Sequence, residues 1–324
     1  MAKFTVTDDF PKSEIDFDAR FSNPEACYQY LFQQKWPEGF VCQKCAHNQY
    51  WLASRNRYIC TNCQHQHSLT AGTIMDSCKK PITYWFKAMW WFTTRKSGIN
   101  ATNLKELLGL GSYGTAWNWL QKLRRCTIRQ GREKLSGRVE VDEFYLGAQR
   151  SGKRGRGAEG KTAVVVAVER DPIEKEIGRI RLHIALDCSG FSLETFILDN
   201  IEPGSTIVTD TWKGYQAIDK EQFAHRPVNQ SKAANHESLY GVHLITTLVR
   251  RLIRGTYQGR FEPKYLQNYL DEYVFRFNRR KSKNIGKKFM RIVQQVVRSA
   301  KIPWKKIQWD MDPLSEHFLG TGAL

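Results

Sequence analysis

Two pairs of cysteines constrain this chain more than any other feature of its sequence. The segments "VCQKC" and "ICTNC" place Cys42, Cys45, Cys60 and Cys63 in a C-x2-C, x14, C-x2-C pattern. Each pair fits a tight turn that presents two thiolates to one tetrahedral ion, and the intervening span suits a short hairpin. Because four cysteines leave no open coordination position, the pattern predicts a structural zinc ion. The alternative is a set of four buried free thiols.

The charge of the chain is the second constraint. Its 324 residues contain 50 lysines and arginines against 32 aspartates and glutamates, a net charge of +18. This excess favours an anionic polymer as partner, most simply nucleic acid, over the alternative of a basic surface that serves solubility. Since the sequence has neither a secretory signal nor an apolar run long enough to cross a bilayer, we expect a cytoplasmic protein without membrane contact. Its thiols are then expected to stay reduced.

A helical region follows the cysteines. "PITYWFKAMWWFTTR" begins with Pro81, which a helix start tolerates, and its apolar and aromatic run predicts a core helix. The segment from Asn103 to Arg125 has two helical faces separated by a glycine-rich turn, with Ser112 as the expected N-cap of the second helix. This pattern predicts a helix-turn-helix whose second helix, with Arg124 and Arg125, contacts DNA. The alternative is a plain helical hairpin that packs domains together.

The stretch "GRVEVDEFYLG", residues Gly137 to Gly147, predicts a β-strand because it is rich in β-branched and aromatic residues. Three carboxylates lie inside it. Alternation along a strand places Glu140 and Asp142 on one face and Glu143 on the other. Since the interior of a large domain is a costly place for an unpaired charge, these carboxylates call for a functional explanation.

The segments that follow indicate a mixed sheet flanked by helices. Two β-rich runs and then a helical run occupy residues 162–170, 178–187 and 192–201. A short apolar strand then ends on Asp210. In a mixed sheet the strands of Asp142 and Asp210 can be neighbours, and ligands favour the carboxyl ends of such strands. Two close carboxylates repel each other unless they share a cation, so the pair predicts a site for Mg²⁺ or Mn²⁺.

A basic, glycine-rich stretch, residues 148–161, follows the strand of carboxylates. Together with Thr162 it satisfies the nucleotide-binding expression G-x-x-x-x-G-K-[ST]. That loop works only between a strand and a helix, whereas here a β-rich run follows, so we expect no nucleotide site. We interpret the stretch as a basic hairpin loop in which Lys153 and Arg154 contact DNA phosphate.

Several motifs together resemble one family. They run from about Phe17 to Lys281 in the order "WPEGFVCQKC", "ICTNCQHQHSLTAGTIM", "TAWNWLQKLR", "VEVDEFYLG", "VTDTWKGY" and "RGTYQGRFEPKYLQNYLDEYVFRFNRR". The chain resembles the insertion-sequence DDE-type transposases that have an RNase H-like catalytic domain and an N-terminal zinc ribbon. The resemblance implies an α+β multidomain fold. The expected domains are an N-terminal helical segment with the ribbon, a helix-turn-helix region, the catalytic domain and a basic C-terminal tail, at 1–70, 71–130, 137–283 and 284–324.

The resemblance also implies catalytic residues. The V-D-E stretch gives Asp142 as the first acid and the T-D-x-x-x-G-Y stretch gives Asp210 as the second, with Mg²⁺ held between them. The chain departs from a simple Asp-Asp-Glu set at the third position, where some members of the group resemble it in having His or Asn. Here His243 is the candidate. Of the three carboxylates on the strand, Asp142 is expected to be essential and Glu140 and Glu143 far less so.

Helical geometry supports this choice. At 100° per residue along "GVHLITTLVRRLIRG", the apolar residues share one face, while His243, Arg250 and Arg254 share the opposite face. In the family, a basic residue two turns after the third ligand holds DNA, which matches Arg250. Glu237 is the competitor, but the residue seven positions after it, Leu244, lies on the apolar face. His243 is expected either to ligate metal weakly or to orient the nucleophile, and the alternative is a solvent-facing histidine without a role.

The function implied by the resemblance is transposition. Water cuts DNA at the transposon ends to leave a 3′-hydroxyl, which then attacks a phosphodiester of target DNA, and neither in-line step needs a protein nucleophile. The implied partners are the terminal repeats, the target DNA and further copies of the chain, in a nucleoid-associated dimer or higher assembly. Two alternatives stay open. One is a DNA-binding regulator built on the ribbon and the helix-turn-helix, which leaves Asp142 and Asp210 unexplained, and the other is a nuclease without joining activity.

Overall fold

The structure, a computed structural model, describes residues 9–129, 131–147, 161–171, 176–185, 187–229, 239–259, 261–304 and 307. These residues divide into two compact units. The first unit contains residues 9–129 and 281–307, and the second contains residues 131–280. Within the described ranges, no helix has the length and apolar character needed to cross a bilayer.

The helices are α1 (Glu14–Arg20), α2 (Pro24–Lys35), α3 (Ile82–Thr94), α4 (Ala101–Leu108), α5 (Tyr113–Arg125), α6 (Gly190–Asn200), α7 (Tyr240–Gly255), α8 (Pro263–Phe277) and α9 (Gly286–Val296), with a 3-10 helix at Lys213–Ala217. The strands are β1 (Tyr50–Ala53), β2 (Arg57–Cys60), β3 (Gln66–Ser68), β4 (Arg138–Gly147), β5 (Lys161–Arg170), β6 (Ile177–Ala185), β7 (Thr206–Thr209) and β8 (Ala224–Pro227).

Aromatic side chains form the core of the first unit. Trp90 of α3 stacks on Phe17 of α1 with ring centroids 4.7 Å apart, and Phe289 of α9 meets both rings edge-on. Such pairs add to the stabilisation that burial alone provides. Phe86, one turn before Trp90, is also fully buried. The aromatic run after Pro81 is therefore the core helix that the sequence predicts.

The segment predicted as a basic C-terminal tail, residues 284–324, contains helix α9. This helix buries Phe289, Met290 and Val293. These residues are one, three and four positions apart, a spacing that places them on one face of a helix. Packing of that face against α2 and α3 gives so short a helix its stability. Residues 286–296 therefore form a packed helix and not the tail that the sequence predicts there. The residues after 307 lie outside the described chain.

The predicted helix-turn-helix forms, but its second helix is largely buried. α4 ends at Gly109, whose left-handed φ of 59° suits a C-cap, and α5 begins after Ser112 without a capping bond from the serine side chain. Within α5, Trp119 stacks on Trp85 of α3 with ring centroids 4.2 Å apart. Buried positions cover one side of α5, whereas the other side, which includes Asn118, Lys122 and Arg125, is partly exposed. The packing of the buried side fits a helical hairpin, and a contact of the other side with DNA stays a prediction.

The second unit is built on a five-stranded mixed sheet of order β6-β5-β4-β7-β8. β4, β5 and β6 form an antiparallel meander, β7 pairs parallel with β4, and β8 pairs parallel with β7. The run of valines in β5 is buried on both faces, as expected for an inner strand. The predicted fold class is confirmed: an α+β chain with a ribbon, a helical region and a mixed sheet flanked by helices.

Helices cover both faces of this sheet. On one face Val139 and Val141 of β4 pack with Phe196 and Ile197 of α6. α7 lies on β4 and β5, and α8 lies along β6. Since side chains alternate along a strand, β4 presents one set of residues to α6 and the other set to α7.

Helix α8 protects the edge of the sheet at β6. The side-chain amide of Gln267 accepts a hydrogen bond from the N–H of Ile184 at 2.9 Å and donates one to the carbonyl of Leu182 at 3.1 Å. Asn278, just after α8, makes the same pair of bonds with the backbone of Ile180. An unpaired edge strand invites pairing with another chain, and these amides satisfy backbone groups that would otherwise do so.

Candidate functional site

The first candidate site is the cysteine cluster. β1, β2 and β3 form a three-stranded antiparallel sheet, and the cysteine pairs lie at turns of this ribbon. All four sulfur atoms lie within 4.8 Å of one another. Cys42 and Cys63, and likewise Cys45 and Cys60, have their Sγ atoms 3.6 Å apart. A tetrahedral ion with Zn–S bonds of about 2.3 Å needs sulfur separations of about 3.8 Å, so these residues fit a structural zinc ion.

The two cysteine pairs adopt the same turn. In each turn the first cysteine, Cys42 or Cys60, donates its N–H to the carbonyl five residues later, at 2.8 Å and 3.0 Å. The residue after the second cysteine, Ala46 or Gln64, has a left-handed φ of 59° or 56° and donates its N–H back to the first cysteine. The repeated turn aims both thiols of a pair at one point, which is the physical reason for the C-x2-C spacing.

His67 of β3 also touches this cluster. Its Nε2 lies 3.3 Å from Sγ of Cys42, and its side chain is buried. Burial lowers the pKa of His67, so its ring is neutral at ordinary pH. A neutral ring can donate one N–H to a thiolate, which would orient Cys42 without replacing it as a ligand.

The second candidate site lies on the central strand β4. β7 pairs with β4 in parallel, with Val208 opposite Glu140 in the last pair of the register. The same offset, continued by two residues, puts Asp210 level with Asp142. Neighbouring strands are about 5 Å apart, so the two backbones are close at this point. Both aspartates are partly exposed. The extended register therefore relates the two acids that the sequence singles out, although the observed pairing itself ends at Glu140 and Val208.

A buried tyrosine holds the segment after Asp210 against β4. Tyr215 is 0% exposed and donates its hydroxyl to Oε2 of Glu143 at 2.8 Å. Burial, followed by the negative charges of Glu143, Asp142 and Asp210, raises the pKa of Tyr215 well above its usual value. The hydroxyl thus stays protonated and keeps donating. Sequence reasoning gave Tyr215 no role, although the T-D-x-x-x-G-Y motif contains it.

A groove opens beside Asp210. Its volume is about 740 Å³, and its lining includes Trp212, Lys220 and His225. Oδ1 of Asp210 accepts the N–H of Trp212 at 2.9 Å, which fixes the turn that leads into this groove. The carboxylate is consequently reachable from solvent past an aromatic and a basic side chain.

Alternation places Glu140, Asp142 and Phe144 on the face of β4 that α7 covers. Glu140 contacts the first turn of α7, and the guanidinium of Arg250 lies over the ring of Phe144 with 5.7 Å to its centroid. His243 lies between these two contacts along the helix, and its side chain is exposed. Helix α7 thus carries both His243 and Arg250 across the face of the sheet that bears Asp142.

His243 does not join the two aspartates in a three-ligand cluster. Among the residues that the structure describes, only the four ribbon cysteines bring three or more possible ligand atoms within 4.8 Å of one another. This arrangement favours the alternative in which His243 orients the nucleophile over the one in which it ligates metal. Its competitor, Glu237, lies outside the described residues.

Helix α7 also lines a basic groove. Thr247, Arg250, Arg251, Arg254 and Gly255 surround a volume of about 660 Å³. The helix contains no acidic residue. The helical wheel singled out Arg250 and Arg254 because they share the stripe of His243. It missed Arg251, which is exposed and lines the same groove.

The other predicted DNA contacts have different outcomes. Arg124 is 1% exposed, so a phosphate cannot reach its guanidinium in this structure, and the predicted contact is wrong for this residue. The reason is that Arg124 lies on the buried side of α5, and charge at the C-terminal end of a helix does not imply exposure. Arg125 is partly exposed and stays a candidate. Lys153 and Arg154 lie outside the described residues.

Comparisons with known proteins agree with this layout. Residues 134–278 match the ISXO2-like transposase domain family, and residues 22–66 match the transposase zinc-ribbon domain family. An uncharacterized protein in the transposable element ISH50 of Halobacterium salinarum is 25% identical over 220 residues, covering 59% of this chain and 68% of that protein. A crystal structure of a pre-cleavage Mos1 transpososome is 12% identical, covers 63% of this chain and 72% of that chain, and superposes with a TM-score of 0.26. That last likeness is too low to bear on the fold.

The two family matches together span more than half of the chain, in the order zinc ribbon and then transposase domain. The sheet and the cysteine cluster described above lie within them. The chain thus contains an ISXO2-like transposase domain preceded by a transposase zinc ribbon, which is the combination of domains found in insertion-sequence transposases.

Proposed function

We propose that this transposase cuts DNA at the ends of its element and joins the resulting 3′-hydroxyls to target DNA, with Mg²⁺ or Mn²⁺ held by Asp142 and Asp210. The observation that supports the proposal is the parallel register of β4 and β7, whose offset, extended by two residues beyond the last observed pair, puts Asp210 level with Asp142. Carboxylate oxygens are the ligands that Mg²⁺ prefers, and a cation removes the repulsion between them.

The residues of the chain divide the chemistry between them. When bound, the metal neutralises charge on the phosphodiester and favours ionisation of the attacking hydroxyl or water. His243 is exposed near the start of α7, where the helix meets β4, and its proposed role is to orient the attacking oxygen. Arg250, whose guanidinium is already fixed over Phe144, holds a phosphate next to the reacting one. No side chain has to form a covalent bond.

DNA binding is supported by charge on the same helix. Arg250, Arg251 and Arg254 line one groove, and an Arg fork matches a phosphate better than a Lys does. The groove beside Asp210 adds Trp212 and Lys220, a combination of aromatic and basic side chains that suits an unpaired strand near the cut. Double-stranded terminal repeats and target DNA are the proposed partners.

The test uses the full chain, labelled DNA of the element's two ends and a supercoiled plasmid, with Mg²⁺ or Mn²⁺. Joined products that carry label in the plasmid support transposition. Nicked or cut ends without joining indicate a nuclease. A mobility shift without any cutting, in either metal, indicates the DNA-binding regulator and contradicts the proposal.

We also propose that two or more copies act together, since both transposon ends must be held for joining. Native mass spectrometry with and without end DNA checks this proposal. A complex that contains one chain per pair of ends, in a reaction that still yields joined products, contradicts it.

A further inference from the structure

Helix α7 starts without a cap of its own. Its N-cap residue, Leu239, makes no side-chain capping bond, and the first backbone N–H groups of any helix have no partner within the helix. At α7 the partner comes from β4. Oε2 of Glu140 accepts the N–H of Gly241 at 2.7 Å and that of Val242 at 3.3 Å. These are the second and third helical positions, the ones that an N-cap side chain normally satisfies.

The charge of Glu140 is held on its other side by Arg170 of β5. Nη1 of Arg170 lies 3.1 Å from Oε1 of Glu140, and both side chains are buried, with 10% and 1% exposure. The same guanidinium lies over the ring of Tyr240, 5.1 Å from its centroid, at the first residue of α7. A negative charge at a helix N-terminus is also favourable in itself. Glu140 and Arg170 therefore both bind the first turn of α7, Glu140 through its hydrogen bonds and Arg170 through its contact with Tyr240.

Gly241 makes this close approach possible. A Cβ at residue 241 would lie 2.8 Å from Oε2 of Glu140 and 3.0 Å from Cγ1 of Val168. The first distance is shorter than side-chain carbons show and the second is tighter than most of their contacts, and the Glu140 carboxylate is held in place by its hydrogen bonds and by Arg170. Any larger residue at 241 would push the helix start away from β4.

We call the contacts of Glu140 with Arg170 and with the first turn of α7 the clamp. On both β4 and α7, the residues of the clamp lie close in sequence to a residue proposed to act in cutting. Glu140 precedes Asp142 by two residues on the same face of β4, and Gly241 precedes His243 by two residues on α7. We propose that Glu140 is a positioning residue that fixes His243, and with it α7, relative to Asp142. The inference rests on the proposed function of the site. It revises the expectation from sequence that Glu140 matters far less than Asp142.

A merely stabilising ion pair would behave differently. Removing one partner of a buried ion pair leaves the other charge buried without compensation, and this loss lowers the stability of the whole domain. A positioning residue acts through the group that it places. Its loss therefore lowers the cutting rate only as long as His243 is present.

The experiment is a double-mutant cycle in the full chain with labelled end DNA and Mn²⁺. Glu140→Gln is expected to slow cutting about 100-fold, since a misplacement of about 1 Å at a reacting group costs that much. In a His243→Ala background, Glu140→Gln is expected to cause no further loss. Hydrogen exchange provides a readout that does not depend on activity: the amides of Gly241 and Val242 should exchange faster in Glu140→Gln than in the unmodified chain.

Two further variants keep the test decisive. Glu169→Gln is the matched control. Glu169 is a partly buried carboxylate in the same sheet, and it forms an ion pair with Arg179 at 2.6 Å. Among the described residues, none of its hydrogen bonds or ion pairs involves α7. It should lower the thermal midpoint and leave cutting within about twofold. Gly241→Ala disturbs the clamp from the other side without removing charge, and should reproduce the loss of cutting. It replaces Glu140→Gln if that variant does not fold.

The outcomes separate the inference from the proposed function. If the unmodified chain cuts no DNA, the proposed function fails. If it cuts and Glu140→Gln matches Glu169→Gln in rate, or if the losses from Glu140→Gln and His243→Ala multiply, Glu140 is structural and the inference is overturned. Unchanged exchange at Gly241 and Val242 in Glu140→Gln would overturn it as well.

Discussion

The ribbon and the sheet each gather a candidate metal site, but from very different lengths of chain. The four cysteines come from 22 consecutive residues, and two copies of one turn place them. The acids proposed for the second site, Asp142 and Asp210, are related through the register of β4 and β7. His243 lies on a helix whose start contacts a residue 101 positions earlier than Gly241. A local site can be read from spacing, whereas a site assembled by register and helix packing depends on the whole domain.

The two sites also differ in what holds their surroundings together. The ribbon has strands of three or four residues and leaves Trp51 and Leu52 exposed, and its core is a small aromatic cluster that includes Trp36, Phe40 and Tyr58. The sheet is held by a buried apolar cluster that includes Val139, Val141 and Ile207. Small units of the first kind depend on a metal or disulfide, and the second kind folds without one.

The largest expected effect is the loss of zinc. Chelation should unfold the ribbon and leave the sheet folded, because zinc binding supplies about 10–16 kcal/mol of folding free energy in small zinc units. Hydrogen exchange measures both parts at once: amides of residues 57–60 should become unprotected, while those of Ala163 to Val168 keep their protection. Metal analysis should find about one zinc per chain.

Matched cysteine variants sharpen this prediction. Cys60→Ser should lose the zinc, whereas Cys126→Ser, at a buried cysteine outside the cluster, should keep it. If chelation exposed Ala163 to Val168 as much as the ribbon, the contrast between the two regions would be wrong.

The second effect is on the acids of β4 and β7. Asp142→Asn keeps size but removes charge, so cutting should fall about 1,000-fold or more, because a metal contributes several kcal/mol and each 1.4 kcal/mol is a factor of ten. Asp210→Asn should match it, and the double variant should be no slower than either one, since either loss empties the shared site. DNA binding, measured by fluorescence anisotropy, should persist. Cutting by Asp142→Asn at the unmodified rate would remove the basis for a metal site here.

A smaller effect is expected from Tyr215→Phe. The change deletes the hydrogen bond to Glu143 without opening a cavity, and a bond to a charged acceptor contributes about 1.5–3 kcal/mol. The segment after Asp210 should loosen, so the Mn²⁺ concentration for half-maximal cutting should rise several-fold while the rate at saturating Mn²⁺ changes less. His243→Ala provides the contrast, because it should lower the maximal rate and leave the Mn²⁺ midpoint in place. Equal midpoints for Tyr215→Phe and the unmodified chain would contradict a role in placing Asp210.

The smallest effects concern single arginines. Arg250→Ala should weaken end binding and reduce the slope of log affinity against log salt by about 0.9, the value for one phosphate contact. Arg124→Ala should leave that slope unchanged and cost about 1–3 kcal/mol of stability instead, because its side chain is buried. Salt titrations and thermal melts of both variants check the pair. A reduced slope for Arg124→Ala would show that its guanidinium reaches DNA after all.

Sequence alone determined the features that are local. The C-x2-C spacing gives the ribbon site, because a turn of four residues has few conformations that point two thiols the same way. The aromatic run gives α3, and the alternation in "GRVEVDEFYLG" separates Asp142 from Glu143, because strand periodicity is fixed at two. The succession of β-rich and helical runs also predicts the three-strand meander and the mixed sheet, whereas it does not give strand β8 or its place beside β7.

Tertiary structure decided what depends on distant partners. Arg124 carries the same charge as Arg125, but only the packing of α5 shows that it is buried. From its sequence, the stretch that contains helix α9 resembles a basic tail. The helix is stable because its apolar face packs against other helices, and the sequence of the stretch alone does not show those helices. From the sequence, Glu140 has no evident role. The structure shows that its carboxylate accepts the N–H of Gly241 at the start of α7, 101 residues later. Neither spacing nor composition encodes such a contact, since it exists only once two separately formed elements are packed together.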